Sequence, residues 1–251
     1  MAYLKDKLNK TKDRLSSHIV TIPSASVSQA MAAAGADSLI LDMEHGAIDY
    51  ASAHAMIAAT NGFDCAPLVR VAKTDDWHVK RALDLGAEGI VFPLVNTALD
   101  VEKAVKTLRY PPNGTRGFGP FIAHSHEKVN LLDYAAKIDG TRTCCILVET
   151  ADAVENIEEI CEVSGIDLII LAQFDLSTSL GIHGQFGDPI FLRAVAKVEK
   201  AALAANISLG GVAMAKPQAD AMFARGYRLV AGFDLLMLKA KTAEIQAWCE
   251  S

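Results

Sequence analysis

Three apolar segments of this chain each lead into ionisable side chains that could hold a metal ion or move protons. The segments are 38–41, 144–148 and 168–172. The side chains that follow them are Asp42, Glu44, His45, Glu149 and Asp175. Burying such groups costs several kcal/mol unless they pair or bind a metal, so their position at the ends of buried strands has no structural advantage. We therefore interpret them as parts of one metal or acid–base site.

The size and composition of the chain indicate one large globular domain over residues 1–251. Its 251 residues are 51% hydrophobic and 22% charged. This composition provides for a sizeable core and excludes a disordered chain. Single (β/α)8 barrels commonly have about 250 residues.

The charge and the cysteines indicate a cytoplasmic protein that acts on small molecules. A net charge of −6 without a basic stripe argues against nucleic-acid binding. No apolar run approaches the roughly 20 residues of a membrane span, and the polar residues 1–7 do not resemble a signal peptide. The five cysteines form no CxxC pair, which is typical of reduced, buried thiols. We expect a cytoplasmic location and no membrane contact.

Short β-rich segments alternate along the chain with Ala-rich segments of helical periodicity. The eight predicted strands cover 18–22, 38–43, 66–71, 89–95, 144–148, 168–172, 208–212 and 228–232. The predicted helices include 50–60, 75–85, 97–108, 152–161, 189–205 and 216–224. Eight such units predict a single parallel (β/α)8 TIM barrel. The alternative, a doubly wound sheet, is disfavoured because no GxGxxG turn follows the first strand.

Two carboxylates are the candidates for metal binding. In a barrel of this class the site lies at the carboxyl ends of the strands, where Glu149 and Asp175 would follow neighbouring strands. Two protein carboxylates leave coordination positions for substrate oxygens on a hard cation such as Mg²⁺ or Mn²⁺. The alternative is that each carboxylate caps the helix that follows it.

His45 and Arg70 are the other candidates for chemistry. His45 could act as a general base with Asp42 or Glu44 holding its tautomer, or could make an ordinary hydrogen bond. Arg70 could bind a substrate carboxylate or enolate, or could pair with the neighbouring acids. Because no predicted strand core carries a lysine, an enolate formed here would need a metal ion in place of a Schiff base.

The longest segment without periodicity runs from residue 111 to about residue 129. It begins with Pro-Pro-Asn-Gly at 111–114 and continues with Arg-Gly-Phe-Gly-Pro at 116–120. Loops of this length in a compact domain are usually functional. We therefore expect residues 118–126, together with a neighbouring subunit, to contact an acceptor substrate.

Five separated motifs resemble, in order and spacing, those of the HpcH/HpaI family of metal-dependent pyruvate aldolases. They are Leu41-Asp42-Met43-Glu44-His45-Gly46, Pro67-Leu68-Val69-Arg70-Val71, Arg109-Tyr110-Pro111-Pro112-Asn113-Gly114-Thr115-Arg116-Gly117, Val148-Glu149-Thr150 and Asp175-Leu176-Ser177. The resemblance covers essentially the whole chain. It implies a barrel fold and a homo-oligomer, either a hexamer or a trimer.

The resemblance also implies roles for individual residues. Glu149 and Asp175 would hold a divalent cation (Mg²⁺, Mn²⁺ or Co²⁺) that a 2-oxo acid chelates. Arg70 would stabilise the enolate oxygen, and His45, oriented by Asp42, would move protons. The substrate pocket would be formed by Arg70, Gln173, Phe174 and Val212.

Two residues depart from the pattern of that family. Phe174 stands directly before Asp175, where a small residue is usual. Leu147 stands two residues before Glu149, where many members have Gln. Both changes leave the metal-binding residues intact and alter the expected shape of the donor pocket.

We therefore predict an aldol lyase that cleaves or forms 4-hydroxy-2-oxo acids. Its substrates would be pyruvate or a related 2-oxo acid and an aldehyde, and the reaction would pass through a stabilised enolate. One alternative is an oxaloacetate-type decarboxylase that uses the same site. The other is a non-catalytic barrel that binds an oxo acid, with Phe174 blocking turnover.

Overall fold

Eight parallel strands pair in sequence order and close on themselves into a barrel. The computed structural model describes residues 4–10 and 14–249. The strands are β1 (Leu15–Val20), β2 (Ser38–Asp42), β3 (Ala66–Arg70), β4 (Gly89–Phe92), β5 (Thr143–Val148), β6 (Leu168–Leu171), β7 (Ser208–Val212) and β8 (Leu229–Phe233). The predicted (β/α)8 barrel is confirmed.

Helices connect the strands, and several of them begin at capping residues that the sequence supplies. They are α1 (Leu4–Lys10), α2 (Ala25–Ala33), α3 (Tyr50–Ala58), α4 (Asp76–Asp84), α5 (Ala98–Leu108), α6 (Ala123–Glu127), α7 (Tyr134–Ile138), α8 (Ala151–Glu155), α9 (Ile157–Glu162), α10 (Gln173–Ser179), α11 (Pro189–Ala204), α12 (Lys216–Ala224) and α13 (Asp234–Ala247). A 3₁₀ helix covers Leu131–Asp133. Asp49, Asp75 and Thr97 each accept a backbone N–H at a helix N-cap. None of the helices within the described residues has the length and apolar character needed to span a bilayer.

Most strands bury both of their faces, as expected for a parallel barrel, whereas the outward positions of β1 and β8 are partly half-buried. In β5, Cys145 and Leu147 belong to the core inside the barrel. Their neighbours Cys144 and Ile146 belong to the core between the barrel and its helices. Because side chains alternate along a strand, Glu149 is the next inward position after Leu147 and projects into the barrel mouth.

The first strand begins earlier than the sequence predicted. β1 starts at Leu15, three residues before the predicted strand at 18–22. Ser17 lies inside the barrel within 2.9 Å of the Ser38 hydroxyl, and the N–H of Ser16 donates to Asp37 at 2.9 Å. Hydrophobicity did not indicate these serines as strand residues, but buried hydroxyls are tolerated where they have partners.

The helix predicted at 152–161 is interrupted. It consists of α8 and α9, which meet at Asn156. The side-chain amide of Asn156 donates to the carbonyl of Asn96 at 2.9 Å. Asparagine commonly hydrogen-bonds to nearby backbone at helix ends, and this contact to a distant loop decides where α8 stops.

The amino-terminal end of the barrel is closed by α1. Leu4 and Leu8 of this helix belong to the interior core. The N–H of Leu4 donates to a carboxylate oxygen of Glu88 at 2.6 Å, and Lys7 pairs with Asp37 at 3.1 Å. The sequence analysis did not identify this helix, which is held by contacts to residues far along the chain.

The long segment between α5 and β5 lies at this closed end of the barrel. It contains α6, the 3₁₀ helix and α7. Arg109, at the end of α5, donates two hydrogen bonds to Asp139 at 3.1 and 2.7 Å. Glu127 forms a buried ion pair with Arg142, directly before β5. The segment is therefore fastened beside the amino ends of the strands.

The prediction that residues 118–126 contact the acceptor is wrong for the mouth of their own barrel. A helix-to-strand connection returns the chain to the amino ends of the strands, whereas the mouth lies at the carboxyl ends. Glu127 and Lys128 border a cavity of about 500 Å³ that they share with Glu88. Contact between this segment and the site of a neighbouring subunit stays a prediction.

The last helix leaves the surface of the barrel. Asp234, at its start, is buried and accepts the N–H groups of Thr21 at 2.7 Å and Ile22 at 2.8 Å. Every residue from 235 to 249 is exposed. α13 is thus fixed to β1 at one end and has little contact with its own barrel beyond it.

Glu88 makes the stability of this fold sensitive to pH. Burial raises the pKa of Glu88 to about 7, from its ordinary value of 4.5. Because the folded chain holds this proton more tightly than the unfolded chain, the free energy of unfolding falls as pH rises through this range. We expect Glu88 to account for a loss of roughly 3 kcal/mol between pH 4.5 and 8.

Urea unfolding of the wild type and of Glu88→Gln at several pH values measures this contribution. The difference in unfolding free energy between the two proteins should change by that amount across the range, since glutamine does not titrate. Glu102→Gln, on the exposed side of α5, should follow the wild type. A constant difference between wild type and Glu88→Gln would contradict the expectation.

Candidate active site

Asp42 and Arg70 face each other at the carboxyl ends of β2 and β3, where they are paired in the strand register. Arg70 Nε donates to Asp42 at 2.8 Å, and Arg70 Nη2 donates to the second carboxylate oxygen. Asp42 also accepts the backbone N–H groups of Glu44 at 3.0 Å and His45 at 3.1 Å. Although burial opposes its ionisation, these hydrogen bonds lower the pKa of Asp42 below its ordinary value. The pair therefore stays ionised and holds the guanidinium in a fixed orientation.

Glu44 is the second acidic partner of Arg70. Its Oε2 lies 3.4 Å from Arg70 Nη1, is buried and has no hydrogen-bond partner among the described residues. Burial raises the pKa of Glu44, and the charge of Arg70 only partly opposes this. The sequence analysis named Glu44 as part of the metal or acid–base site and as a candidate to hold the tautomer of His45. The structure places it within the charge network of the mouth.

His45 lies at the rim of the mouth, with its side chain 66% exposed. Its backbone N–H binds Asp42, while its ring Nε2 lies 3.8 Å from Glu44 Oε2. The carboxylate nearest the imidazole is therefore that of Glu44. Asp42 acts on the backbone of His45 and on Arg70. The role of His45 in moving protons stays a prediction.

Glu149 projects into the mouth from the end of β5 and is 6% exposed. It accepts a hydrogen bond from the backbone N–H of Leu94, just beyond β4. Leu94 has a φ of 52°, a left-handed conformation that is uncommon for leucine. Burial raises the pKa of Glu149, the Leu94 N–H opposes the rise, and the charges of Glu44 and Asp175 add to it. Nothing in the sequence around Leu94 indicated this contact.

Neither Glu149 nor Asp175 is the capping residue of the adjacent helix. Thr150 caps α8 by accepting the N–H of Ala153, and Ala172 occupies the N-cap position of α10. Asp175 lies in the first turn of α10, exposed at the mouth. The helix-capping explanation for these two carboxylates is therefore not supported.

The mouth of the barrel carries more acidic than basic side chains. Four carboxylates meet a single arginine there: Asp42, Glu44, Glu149, Asp175 and Arg70. Asp42 and Glu44 are already engaged with the guanidinium, whereas Glu149 and Asp175 repel each other. In residues 4–10 and 14–249, no group of three or more His, Cys, Asp or Glu is arranged to hold a metal ion. Glu149 and Asp175 are the two carboxylates that could hold a hard divalent cation, which would fill its other positions with small ligands.

A small cavity of about 50 Å³ lies beside these charges. The predicted substrate-binding residues Arg70, Gln173, Phe174 and Val212 all line it, as does Asp175. Its remaining walls are apolar side chains from the barrel interior, including Leu147 and Ile170. The structure thus brings together the residues that the sequence analysis assigned to the substrate pocket.

Phe174 is held in place by other aromatic rings. Its ring meets Phe186 edge to face with centroids 5.2 Å apart. Phe186 in turn packs against the buried Phe191 at 5.5 Å. Phe174 itself is 39% exposed, so it forms one wall of the cavity and also faces the solvent.

Comparisons with known proteins agree with this geometry. The profile of the HpcH/HpaI aldolase/citrate lyase family matches residues 20–240. The hydroxypyruvate/pyruvate aldolase of Roseovarius nubinhibens is 31% identical over 221 residues, which cover 86% of this chain and 84% of that protein.

Solved structures show the same fold. The structure of an HpcH/HpaI aldolase/citrate lyase family protein from Burkholderia cenocepacia J2315 is 30% identical, with a TM-score of 0.92 and coverage of 99% of both chains. The citrate lyase β subunit from M. tuberculosis, complexed with oxaloacetate and magnesium, is 17% identical, with a TM-score of 0.59 over 87% of this chain and 91% of that chain. The second likeness is one of fold alone. The chain belongs to the HpcH/HpaI aldolase/citrate lyase family and is a lyase of the aldolase type.

Proposed function

We propose that this protein is a divalent-metal-dependent aldolase that cleaves or forms 4-hydroxy-2-oxo acids from pyruvate and an aldehyde. The proposal rests on Arg70 and Asp175, which line one small cavity, and on Glu149, which lies close enough for the charges of both to act on its carboxylate. The two carboxylates could bind a cation, and the guanidinium of Arg70, held by Asp42, could stabilise the negative charge that develops on the substrate oxygen. The relatives named as aldolases favour this reaction over a decarboxylation at the same site.

The chemical demand is to stabilise negative charge on a carbon next to a carbonyl group. In the cleavage direction the C4 hydroxyl loses its proton, the C3–C4 bond breaks and the aldehyde leaves. The electron pair delocalises onto the C2 oxygen as an enolate, and C3 then takes a proton to give pyruvate. Groups that are already oriented toward that oxygen supply the largest catalytic contribution.

The residues at the mouth divide this work between them. Glu149 and Asp175 would hold Mg²⁺, Mn²⁺ or Co²⁺, which when bound polarises the 2-oxo group as a Lewis acid. Arg70, fixed by Asp42, offers its positive charge to the enolate oxygen. His45 lies at the rim, where it can pass protons between the solvent and the reacting atoms. Gln173 and Phe174 bound the space for the oxo acid.

Deuterium exchange into pyruvate tests the proposal without a known aldehyde. The protein is incubated with pyruvate in D2O, with Mg²⁺ or Mn²⁺ and then with excess EDTA, while NMR follows the methyl protons. We expect loss of the methyl signal that depends on the metal, because C3 of the enolate picks up deuterium. Absence of exchange with both metals would refute pyruvate enolisation.

Arg70→Ala should slow this exchange about 100-fold, since a preorganised donor to an oxyanion is worth about that factor. Mn²⁺ binding, followed by calorimetry, should persist in Arg70→Ala and disappear in Glu149→Gln and Asp175→Asn. Arg225→Ala removes a surface arginine that pairs with Glu199 and should leave exchange and Mn²⁺ binding unchanged. Full exchange activity in Arg70→Ala would remove Arg70 from the mechanism.

We also propose that the enzyme works as a homo-oligomer in which α13 of one copy packs on another copy. Leu235, Leu238 and Trp248 on this helix are 53%, 57% and 69% exposed. On the outside of the same barrel, residues of β1, α2 and the start of α13 line an apolar groove of about 480 Å³. In a (β/α)8 barrel the helix after each strand covers the outside of the sheet, and α13 leaves part of that surface uncovered.

The helix and the groove are complementary, because each chain has exposed apolar side chains on α13 and an apolar groove that could bind them. If two copies exchange α13, each helix packs in the groove of the other copy, as in an isologous dimer. Assembly through such pairs requires an even number of subunits. A hexamer built from three pairs satisfies this requirement, and a trimer does not.

Light scattering coupled to gel filtration tests the pairing. The wild type should elute as a multiple of its 26.8 kDa chain, and the double variant Leu235→Glu/Leu238→Glu should shift to the monomer, because the added charges oppose burial of the helix. Leu132→Glu, at a residue that is 93% exposed elsewhere on the surface, should leave the mass unchanged. A monomeric wild type would refute the pairing.

We further propose the cytoplasm as the site of action. Cys65, Cys144, Cys145 and Cys161 are buried free thiols, and burial raises the pKa of each of them. Thiols of this kind are unreactive packing groups and are typical of a reducing compartment.

A further inference from the structure

We propose that Phe174 restricts the donor of this enzyme to pyruvate, a 2-oxo acid with no substituent on C3. The inference rests on the proposed aldolase function and specifies its donor. It assigns to Phe174 a part in substrate choice, as the wall that excludes larger and more polar oxo acids.

The size of the donor cavity supports this restriction. The space lined by Arg70, Phe174 and Asp175 measures about 50 Å³. Cavities that bind drug-sized ligands measure roughly 300–1,000 Å³. A donor as small as pyruvate already occupies this space, so a substituent on C3 has to displace one of the walls.

The residues that line the cavity also favour a donor without a polar substituent on C3. The polar side chains that line the cavity are those of Arg70, Gln173 and Asp175. Arg70 is already engaged by Asp42 and Glu44, and Asp175 is committed to the metal in the proposed function. The barrel interior contributes apolar walls, among them Leu147, Ile170 and Val212. Gln173 is left as a polar side chain that a C3 substituent could reach. A hydroxyl or carboxylate on C3 that instead faces the apolar walls has no hydrogen-bond partner there, which disfavours binding.

Phe174 is held in the wall of the cavity by an aromatic contact. Its ring is held edge to face by Phe186, and Phe186 packs on the buried Phe191. Rotation of Phe174 out of the cavity would break the first of these contacts and expose more of the ring to water. Phe174 also immediately precedes Asp175 on α10, so its wall stands beside the carboxylate that anchors the donor.

Donor selection can be measured by deuterium exchange at C3 of pyruvate, 2-oxobutanoate and hydroxypyruvate. Each rate is compared between the wild type and Phe174→Ala, which cancels differences in intrinsic acidity between the donors. We expect the rate of 2-oxobutanoate relative to pyruvate to rise at least 10-fold in Phe174→Ala, since an extra methylene in a closed pocket is worth about 10- to 200-fold. Leu147→Gln should raise the exchange rate of hydroxypyruvate relative to that of pyruvate about 10-fold or more. The glutamine amide would give the hydroxyl group of hydroxypyruvate a hydrogen-bond partner.

Phe63→Ala is the matched control. Phe63 is 38% exposed, nearly the same as Phe174, but it borders the cavity at the closed end of the barrel. In Phe63→Ala, the exchange rates of 2-oxobutanoate and hydroxypyruvate relative to pyruvate should equal those of the wild type. Unchanged donor ratios in Phe174→Ala would overturn the inference and leave the aldolase function standing. Absence of pyruvate exchange in the wild type would instead refute the aldolase function itself.

Discussion

Closure of the parallel barrel is the constraint on which the rest of this structure depends. Because every strand runs in the same direction, the carboxyl ends of all eight strands share one rim. Asp234, after the last strand, fastens this rim by accepting the N–H groups of Thr21 and Ile22, after the first strand. Side chains that are far apart in sequence, such as Asp42 and Glu149, thereby meet in one mouth.

The electrostatics of the mouth follow from that convergence. Asp42 and Arg70 form a nearly buried ion pair in which both carboxylate oxygens are engaged. Such a pair gives the guanidinium one orientation, and removing either partner would leave a buried charge uncompensated. Burial and mutual repulsion make the ionised forms of Glu44 and Glu149 costly. A divalent cation bound by Glu149 and Asp175 would relieve this repulsion.

The two ends of the barrel and its outer surface serve different purposes. The amino-terminal end is closed by α1 and by the segment between α5 and β5. Their contacts stabilise the barrel at the end opposite the site. The mouth is narrow and largely apolar beyond its charged rim. The exposed α13 and the groove beside β1 and α2 are surfaces that a second copy of the chain would bury. The mouth and these outer surfaces are therefore separate parts of one fold.

The sequence by itself determined the alternation of strands and helices, the class of barrel and the identity of the acids at the strand ends. These are properties of local periodicity and of residue type, which neighbouring residues carry. The tertiary structure decided which atoms meet: the Leu94 N–H at Glu149, the imidazole of His45 beside Glu44, and the long segment placed at the closed end. It also decided that α13 stays exposed. Such contacts depend on register and barrel closure, which join residues whose local sequences contain no information about one another.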